Sequence, residues 1–455
     1  MILCTEDEWQ QTAGDLIALW TDATHAYALY HPGILRAVAL TGGAYPALDA
    51  AGAAWFQRLA YDLNGHVATG AQDTRPAIEH YRAPDGTAAW PEFMPITGEG
   101  VHQIGVGPVH AGIIEPGYFR FSLCGEQILK LEIRLGYAHK AVLALMRSKS
   151  PRVAARFAAR VSGDATVAHA LAFAHATEAA LALTPPRRAV YLRAIMAEIE
   201  RLANHCGDIG AIAGDAGFAF LDARFAFHRE NLCAAAFVAF GHRLMMDVVI
   251  PGGVAGDLHT GGAAAILAAL DGLETELPAL TRVFEDYTSL QDRLIGTGII
   301  PPPLAHAYAA GGVVGRASGR ADDARQSPGY APYDTMTLQI PVANAGDVAA
   351  RLRIRLAEMT ASLEMVRHWL RGLPEDGIAV APPAGEGMGL GVAESFRGPV
   401  WVWLVLRAGV ISDIFIADPS TAHWPMLEHA APGGILADFP LINRSINASY
   451  SGVDL

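Results

Sequence analysis

Residues 105–140 restrict the fold more tightly than any other stretch of the chain. They open on Gly107-Pro108-Val109-His110, a turn whose glycine and proline fix an abrupt backbone path. Glu115-Pro116-Gly117 then holds a carboxylate on a second turn among apolar neighbours. From Tyr118 the residues alternate, with Phe119, Phe121 and Leu123 facing one way and Arg120 and Ser122 the other. Beyond Gly125-Glu126 the alternation resumes through Leu129, Leu131, Ile133 and Leu135, with Lys130, Glu132 and Arg134 opposite. A period of two on both sides of a glycine-containing turn predicts a β-hairpin with one buried face. Gly136 ends it, and residues 137–140 are expected to begin a helix.

Helical spacing dominates the chain beyond the hairpin. Helices are expected over 138–146, 165–183, 187–207, 219–240, 263–290 and 347–370, the second stopping before Pro185-Pro186. Arg351, Arg353 and Arg355 fall on the polar side of the last, and Glu198, Glu200 and Arg201 read as surface or interhelix pairs. Residues 315–319 are expected to form a turn-rich loop; without a strand-to-helix context they make no phosphate loop. Residues 388–418 return to strands, divided at Ala408-Gly409. Ahead of the hairpin, 9–20 suggests a helix, 26–40 strand, 53–62 a short helix and 91–100 a linker. The expectation is an α+β protein: a small α/β docking domain over 1–95, then 96–455 as a hairpin platform, a long helical bundle and a strand-rich return.

Charge and cysteine usage exclude several function classes. A net charge of −13 argues against nucleic acid and anionic lipid as direct partners. Cys4, Cys124, Cys206 and Cys233 are scattered without any CxxC spacing and are expected to be free buried thiols of a reducing cytoplasm, not metal ligands. The most apolar stretch, 401–416, is interrupted by Arg407 and Asp413 and is too short to span a bilayer. Glu6, Asp7 and Glu8 stand where a signal peptide would be basic.

The order GPVHAGIIEPGYFRF followed by LEIRLGYAHK resembles the start of the large subunit of membrane-bound, energy-converting nickel–iron hydrogenases of the hydrogenase-4 and formate hydrogenlyase type. The quinone-site subunit of respiratory complex I has a similar opening. The segment AWFQRLAYDLNGHVATGAQDTRP resembles the end of the small α/β subunit that partners this quinone-site subunit. In formate-linked hydrogenases that small module is fused ahead of the large subunit. In the hydrogenases two CxxC pairs hold nickel and iron. The first pair's context reads here Arg160-Val161-Ser162-Gly163-Asp164-Ala165, with His169 retained, so Ser162 and Ala165 stand at the cysteine positions. Near the C-terminus, Ser449 and Gly452 stand at the other two. Hydroxyl, methyl and hydrogen do not replace thiolates at such a centre, and Leu455 leaves little room for the extension that active hydrogenases trim.

The resemblance therefore implies a subunit of hydrogenase descent without its nickel. The quinone-site subunit's first motif histidine corresponds to His110, its second falls on Glu115, and its partnering tyrosine falls near Gly163, with Tyr118 or Tyr450 as substitutes. Asp418-Pro419-Ser420 is taken as a turn. Glu394-Ser395-Phe396-Arg397-Gly398 resembles the loop whose arginine overhangs the hydrogenase centre. Glu115, Ser162, His169, Arg397 and Ser449 are expected around one buried cavity, with Glu115 facing Arg397 either as a proton relay or as an inherited structural pair. Taken alone, His169 on an apolar helix face is a satisfied core histidine.

The implied partners are an iron–sulfur small subunit and antiporter-like membrane subunits, with the chain peripheral on the cytoplasmic face. No cofactor is expected on the chain itself, apart from a bound quinone. Two functions are implied: passing electrons from the iron–sulfur partner to a quinone or other small acceptor, or a redox-silent coupling role in a membrane ion-translocating or transporter complex.

Overall fold

The computed structural model describes residues 1–11, 14–78, 93–94, 96–110 and 114–455. Part of the expected linker at 91–100 and residues 111–113 of the first motif lie outside them.

The N-terminal region is built on strands Leu16–Thr21, His25–Tyr30 and Ile34–Ala39, paired antiparallel, with Ile2–Leu3 added in parallel. The helix expected over 9–20 is replaced by a short one, Glu6–Gln10, capped by Thr5 and Glu8, and by the strand from Leu16. Leu16, Ala18, Leu19 and Trp20 are buried on both faces of that strand. An apolar run without alternation does not distinguish strand from helix, and the sheet decided it. Residues 26–40 do form strands, and helix Ala53–Asn64 follows, ending on Gly65 in the left-handed region. This region shares its core with the C-terminal sheet: Trp20 stacks on Phe415 at 5.2 Å and Tyr27 lies 4.8 Å from Trp403.

The hairpin forms from Tyr118–Cys124 and Gln127–Arg134, with Val101–Val106 as a third strand on its first edge. A register shift at Ser122/Leu123 turns Ile128 inward and leaves Leu129 exposed, so the even alternation expected through Leu129 fails at one residue. Residues 137–140 do not start a helix. They form a turn whose Gly136 and Ala138 amides donate to Asp454, and the helix begins at Val142.

Helices Thr166–Leu181, Arg187–Asp215, Ala219–Phe240, Gly262–Asp286 and Val348–Arg371 make the bundle. Arg187–Asp215 runs through its centre, so Glu198, Glu200 and Arg201 are buried and not at the surface. Arg351 and Arg355 also point inward, and only Arg353 of that trio reaches solvent. Residues expected as a loop around 315–319 begin in helix Gly312–Ala317. Strands Gly387–Ser395, Gly398–Arg407 and Val410–Ala417 form the C-terminal sheet. Helix Thr166–Leu181 lies directly on it because Gly389 and Gly391 carry no Cβ; one at Gly389 would stand 1.9 Å from the Ala176 carbonyl oxygen.

Among the described residues, no helix is long and apolar enough to cross a membrane. All four cysteines are free, but only Cys206 and Cys233 are buried; Cys124 is exposed and Cys4 half-buried, correcting the expectation of four buried thiols.

Candidate functional site

The contact of helix Thr166–Leu181 with the C-terminal sheet brings the segment before that helix against the last residues of the chain. Ser162 Oγ lies 2.9 Å from Ser449 Oγ and donates to Asp164 Oδ1 at 2.9 Å. Ser449 Oγ accepts the Gly452 amide at 3.0 Å, and the Ser449 amide donates to Ser420 Oγ. A Cβ at Gly452 would stand 2.6 Å from Asp418 Oδ2 and 2.9 Å from Ser449 Oγ. Ser162, Ala165, Ser449 and Gly452 thus meet at one buried point, and the two hydroxyls fill it.

Arg397 sits on the tight turn between strands Gly387–Ser395 and Gly398–Arg407 and grips Asp164 with two bonds, of 2.8 and 2.6 Å. Its Nε donates to the Asn447 carbonyl. Burial would lower the arginine's pKa and raise the aspartate's, but their pairing outweighs it, so Arg397 is raised and Asp164 lowered. The network continues: Asn447 Nδ2 donates to Asp208 Oδ1 at 2.7 Å, and Arg355 Nε donates to Asp208 Oδ2 at 3.0 Å.

His169, fully buried, places Nδ1 2.9 Å from the Ala165 carbonyl and Nε2 3.1 Å from Asp418 Oδ2. Burial alone would raise Asp418; His169, Arg397 and the Ser420 amide bring it down to about 2.

Glu115 does not face Arg397. Its exposed carboxylate accepts the Ser451 amide at 3.0 Å, beside the serine cluster, while Arg397 is taken by Asp164. The expected pair fails because Asp164, inside the first motif, already presents two oxygens to the guanidinium. His110 lies apart, on the hairpin side. Its Nε2 donates to the Gly117 carbonyl at 2.7 Å, and its ring leans on Phe119. It lines a cleft of about 280 Å³ together with Phe119, Asn443, Arg444, Asn447 and Tyr450. Tyr450 packs against Trp424 with ring centroids 4.6 Å apart, and burial pushes its hydroxyl up to about 12. Asn447 belongs both to this cleft and to the Arg397 cluster and so joins them. One buried cavity holding every expected residue is therefore not what forms: Ser162, His169, Arg397 and Ser449 come together, Glu115 flanks them, and His110 lines the adjoining cleft.

The arrangement supports comparison with known chains. Residues 220–388 match the family model described as respiratory-chain NADH dehydrogenase, 49 Kd subunit, and residues 142–207 match nickel-dependent hydrogenase. A subunit of the NADH-quinone oxidoreductase of Dehalococcoides mccartyi is 30% identical over 294 residues, covering 62% of this chain and 79% of that one. The chain belongs to the family of the complex I 49 Kd subunit and the nickel–iron hydrogenase large subunit.

Within this family, the carbon monoxide-induced hydrogenase of Rhodospirillum rubrum is 29% identical over 356 residues, 77% of this chain and 98% of its own. Formate hydrogenlyase subunit 5 of Escherichia coli is 27% identical over 429 residues, 88% of this chain and 75% of its own. The fold is shared with a chain of the membrane-bound sulfane sulfur reductase, an archaeal respiratory membrane complex, at a TM-score of 0.73 and 23% identity over 80% of this chain and all of that one. The relatives are redox subunits of complex I-like and hydrogenase complexes.

Three residues of this centre escaped the sequence reading: Asp164, Asp418 and Asn447. Asp418-Pro419-Ser420 was legible as the entry to a helix, since its carboxylate caps the Ser420 amide at 2.8 Å. Nothing local marks its second contact, with His169. Asp164 lay inside the motif itself, beside the substituted positions.

Proposed function

We propose that this chain is the large subunit of a complex I-like, hydrogenase-related membrane oxidoreductase, taking electrons from an iron–sulfur partner and passing them to a quinone or another small acceptor. The observation that carries this is the cleft of about 280 Å³ lined by His110, Phe119 and Tyr450, which reaches the Asp164–Arg397 pair through Asn447. Its walls suit a flat, partly apolar ring with polar edges: aromatic faces for the ring, and imidazole, amide and guanidinium groups for its oxygens. Reducing a quinone to quinol takes two electrons, which the partner supplies, and two protons. Glu115 and His110 are proposed to hold protons near the cleft; Ser162, His169 and Ser449 are proposed to shape its inner wall.

Nickel does not fit these residues. Ser162, Ala165, Ser449 and Gly452 offer no thiolate, the two hydroxyls are bonded to each other, and a side chain at Gly452 has no room beside Asp418. Residues 1–95 are proposed as a docking module related to the small α/β subunit of complex I. The proposed partners are an iron–sulfur small subunit and antiporter-like membrane subunits that hold the chain at the cytoplasmic face.

The test is purification of the tagged chain from native membranes, with its partners identified and iron, sulfide and nickel measured together, followed by quinone titration of electron transfer. Iron and sulfide without nickel, with saturable quinone reduction weakened by His110→Ala, are expected. Membrane partners without iron would replace this proposal with the redox-silent coupling role. Stoichiometric nickel would overturn the account of the four substituted positions.

A further inference from the structure

A second cluster of charged residues lies in the core behind the Arg397 turn, and the proposed electron transfer does not use it. Helix Arg187–Asp215 contributes Glu198, Arg201 and His205; helix Val348–Arg371 contributes Glu358; helix Gly312–Ala317 contributes Arg316. Asp323 and Arg325 come from the segment that follows, and Glu394 from the end of strand Gly387–Ser395. All of these are buried. Arg316 bonds Glu358 at 2.8 Å, Asp323 at 3.0 Å and Glu394 at 3.1 Å. Arg325 bonds Asp323 at 2.7 Å and Glu198 at 3.1 Å. Arg201 bonds Glu198 at 3.1 Å, and His205 Nε2 lies 2.8 Å from Glu358.

The charges do not balance. Four carboxylates face three guanidiniums, and the nearest further ions, Arg355 with Asp208 and Arg193 with Glu178, are paired with each other. An unbalanced charge in a dry core is costly, so a cluster of this composition takes up a proton. Glu394 is the carboxylate with the fewest cationic partners among the described residues. It pairs with Arg316, whereas Glu198, Asp323 and Glu358 each meet two guanidiniums.

The cluster also has a route to water. A cleft of about 250 Å³ is lined by His175, Glu178, Val190, Arg193, Tyr330 and Tyr333. The Tyr333 hydroxyl donates to Glu198 Oε1 at 2.7 Å, and the Tyr330 hydroxyl accepts the Glu394 amide at 3.0 Å. On its far side, Glu394 is tied to the Arg397 turn: Arg201 donates to the carbonyls of both Glu394 and Ser395, and Ser395 Oγ accepts the Arg397 amide.

We propose that this cluster is a single-proton reservoir, loaded at Glu394, exchanging with solvent through the Tyr330–Tyr333 cleft and backing the turn that holds Arg397 against Asp164. Burial and the neighbouring Asp323 carboxylate push Glu394 up to about 7, in keeping with a proton held near neutrality. The reservoir stands on charge and access alone and does not depend on which acceptor occupies the His110 cleft.

The test is infrared difference spectroscopy of the full chain in its native complex, following the carbonyl stretch of protonated carboxyl groups through a pH titration. A band that vanishes as pH rises through about 7 is expected, and Glu394→Gln removes it. Glu428, also pushed up to about 7 by burial, gives a separate band that Glu428→Gln removes. Asp323→Asn matches three carboxylates to three guanidiniums, so it too abolishes the Glu394 band, which keeps the test decisive if Glu394→Gln fails to fold. Val190→Trp narrows the cleft and is expected to slow hydrogen–deuterium exchange of this band at least tenfold without moving its midpoint. An unchanged band set in Glu394→Gln, or survival of the band in Asp323→Asn, overturns the reservoir. Unaltered exchange in Val190→Trp overturns the route.

Discussion

Ser162 Oγ and Ser449 Oγ meet 2.9 Å apart although 287 residues separate them in the chain. The contact locks the segment ahead of helix Thr166–Leu181 to the C-terminal residues, since Ser162 also holds Asp164 and Ser449 also holds Gly452. Ser162→Ala removes one bond to a carboxylate and one between hydroxyls. A loss of about 1–2 kcal/mol is expected, read from urea denaturation with an unchanged slope. A loss below about 0.5 kcal/mol, that of an ordinary surface substitution, would mean the contact carries no stability.

Gly452 is where bulk is least tolerated. A methyl group there would meet Asp418 Oδ2 at 2.6 Å, and Asp418 is fixed by His169 and the Ser420 amide. Gly452→Ala is expected to cost about 1–3 kcal/mol, the range for overpacking a dense interior. Thermal denaturation checks it, and Gly125→Ala, at a turn with open space around it, separates packing from backbone strain: Gly125 has a φ of +59°, Gly452 no such constraint.

Arg397→Met leaves Asp164 without its two-pronged partner. A fully buried pair broken on one side costs about 3–5 kcal/mol. Asp164 keeps 39% of its side chain open to water, so about 2 kcal/mol is expected, with part of the effect screened by salt. Asp164→Asn combined with Arg397→Met is expected to restore some of the loss, measurable as a coupling energy in a double-mutant cycle.

Stability is expected to fall as pH rises from about 5 to 8. Burial raises Glu200 to about 8, Glu394 and Glu428 to about 7 and Asp454 to about 6. Between its ordinary value and its raised one, each group binds more proton folded than unfolded. Its contribution is therefore full at low pH and lost on the way up. Asp73, Asp323 and Asp418, brought down to about 2 against burial by their partners, work the other way, contributing fully above their ordinary value and losing that as pH falls through it. The melting temperature should peak in mildly acidic buffer, and Glu200→Gln should flatten its decline above pH 7.

The hairpin, the bundle helices and the strand-rich return were legible in the sequence because each announces itself locally. Alternation around Gly125 marks the hairpin, apolar spacing marks helices such as Ala219–Phe240, and Ala408-Gly409, both at positive φ, mark the turn of the final strands. The motif residues Ser162, His169, Arg397 and Ser449 were legible too, because a site leaves its spacing in the chain even after its chemistry has changed. Partnership was not. Arg397 chose Asp164 over Glu115, Arg351 and Arg355 turned inward from a helix face that reads as polar, and a bulge at Ser122/Leu123 exchanged Ile128 for Leu129. Whether residues 16–21 became strand or helix also waited on the sheet beside them. Short-range pattern specifies elements because backbone hydrogen bonding and burial of one face are local. Which charges meet in the core depends on how the elements are stacked, where desolvation makes the nearest well-aligned partner decisive. In this protein the sequence determined the elements and the motif positions, and the tertiary structure decided which acid holds Arg397.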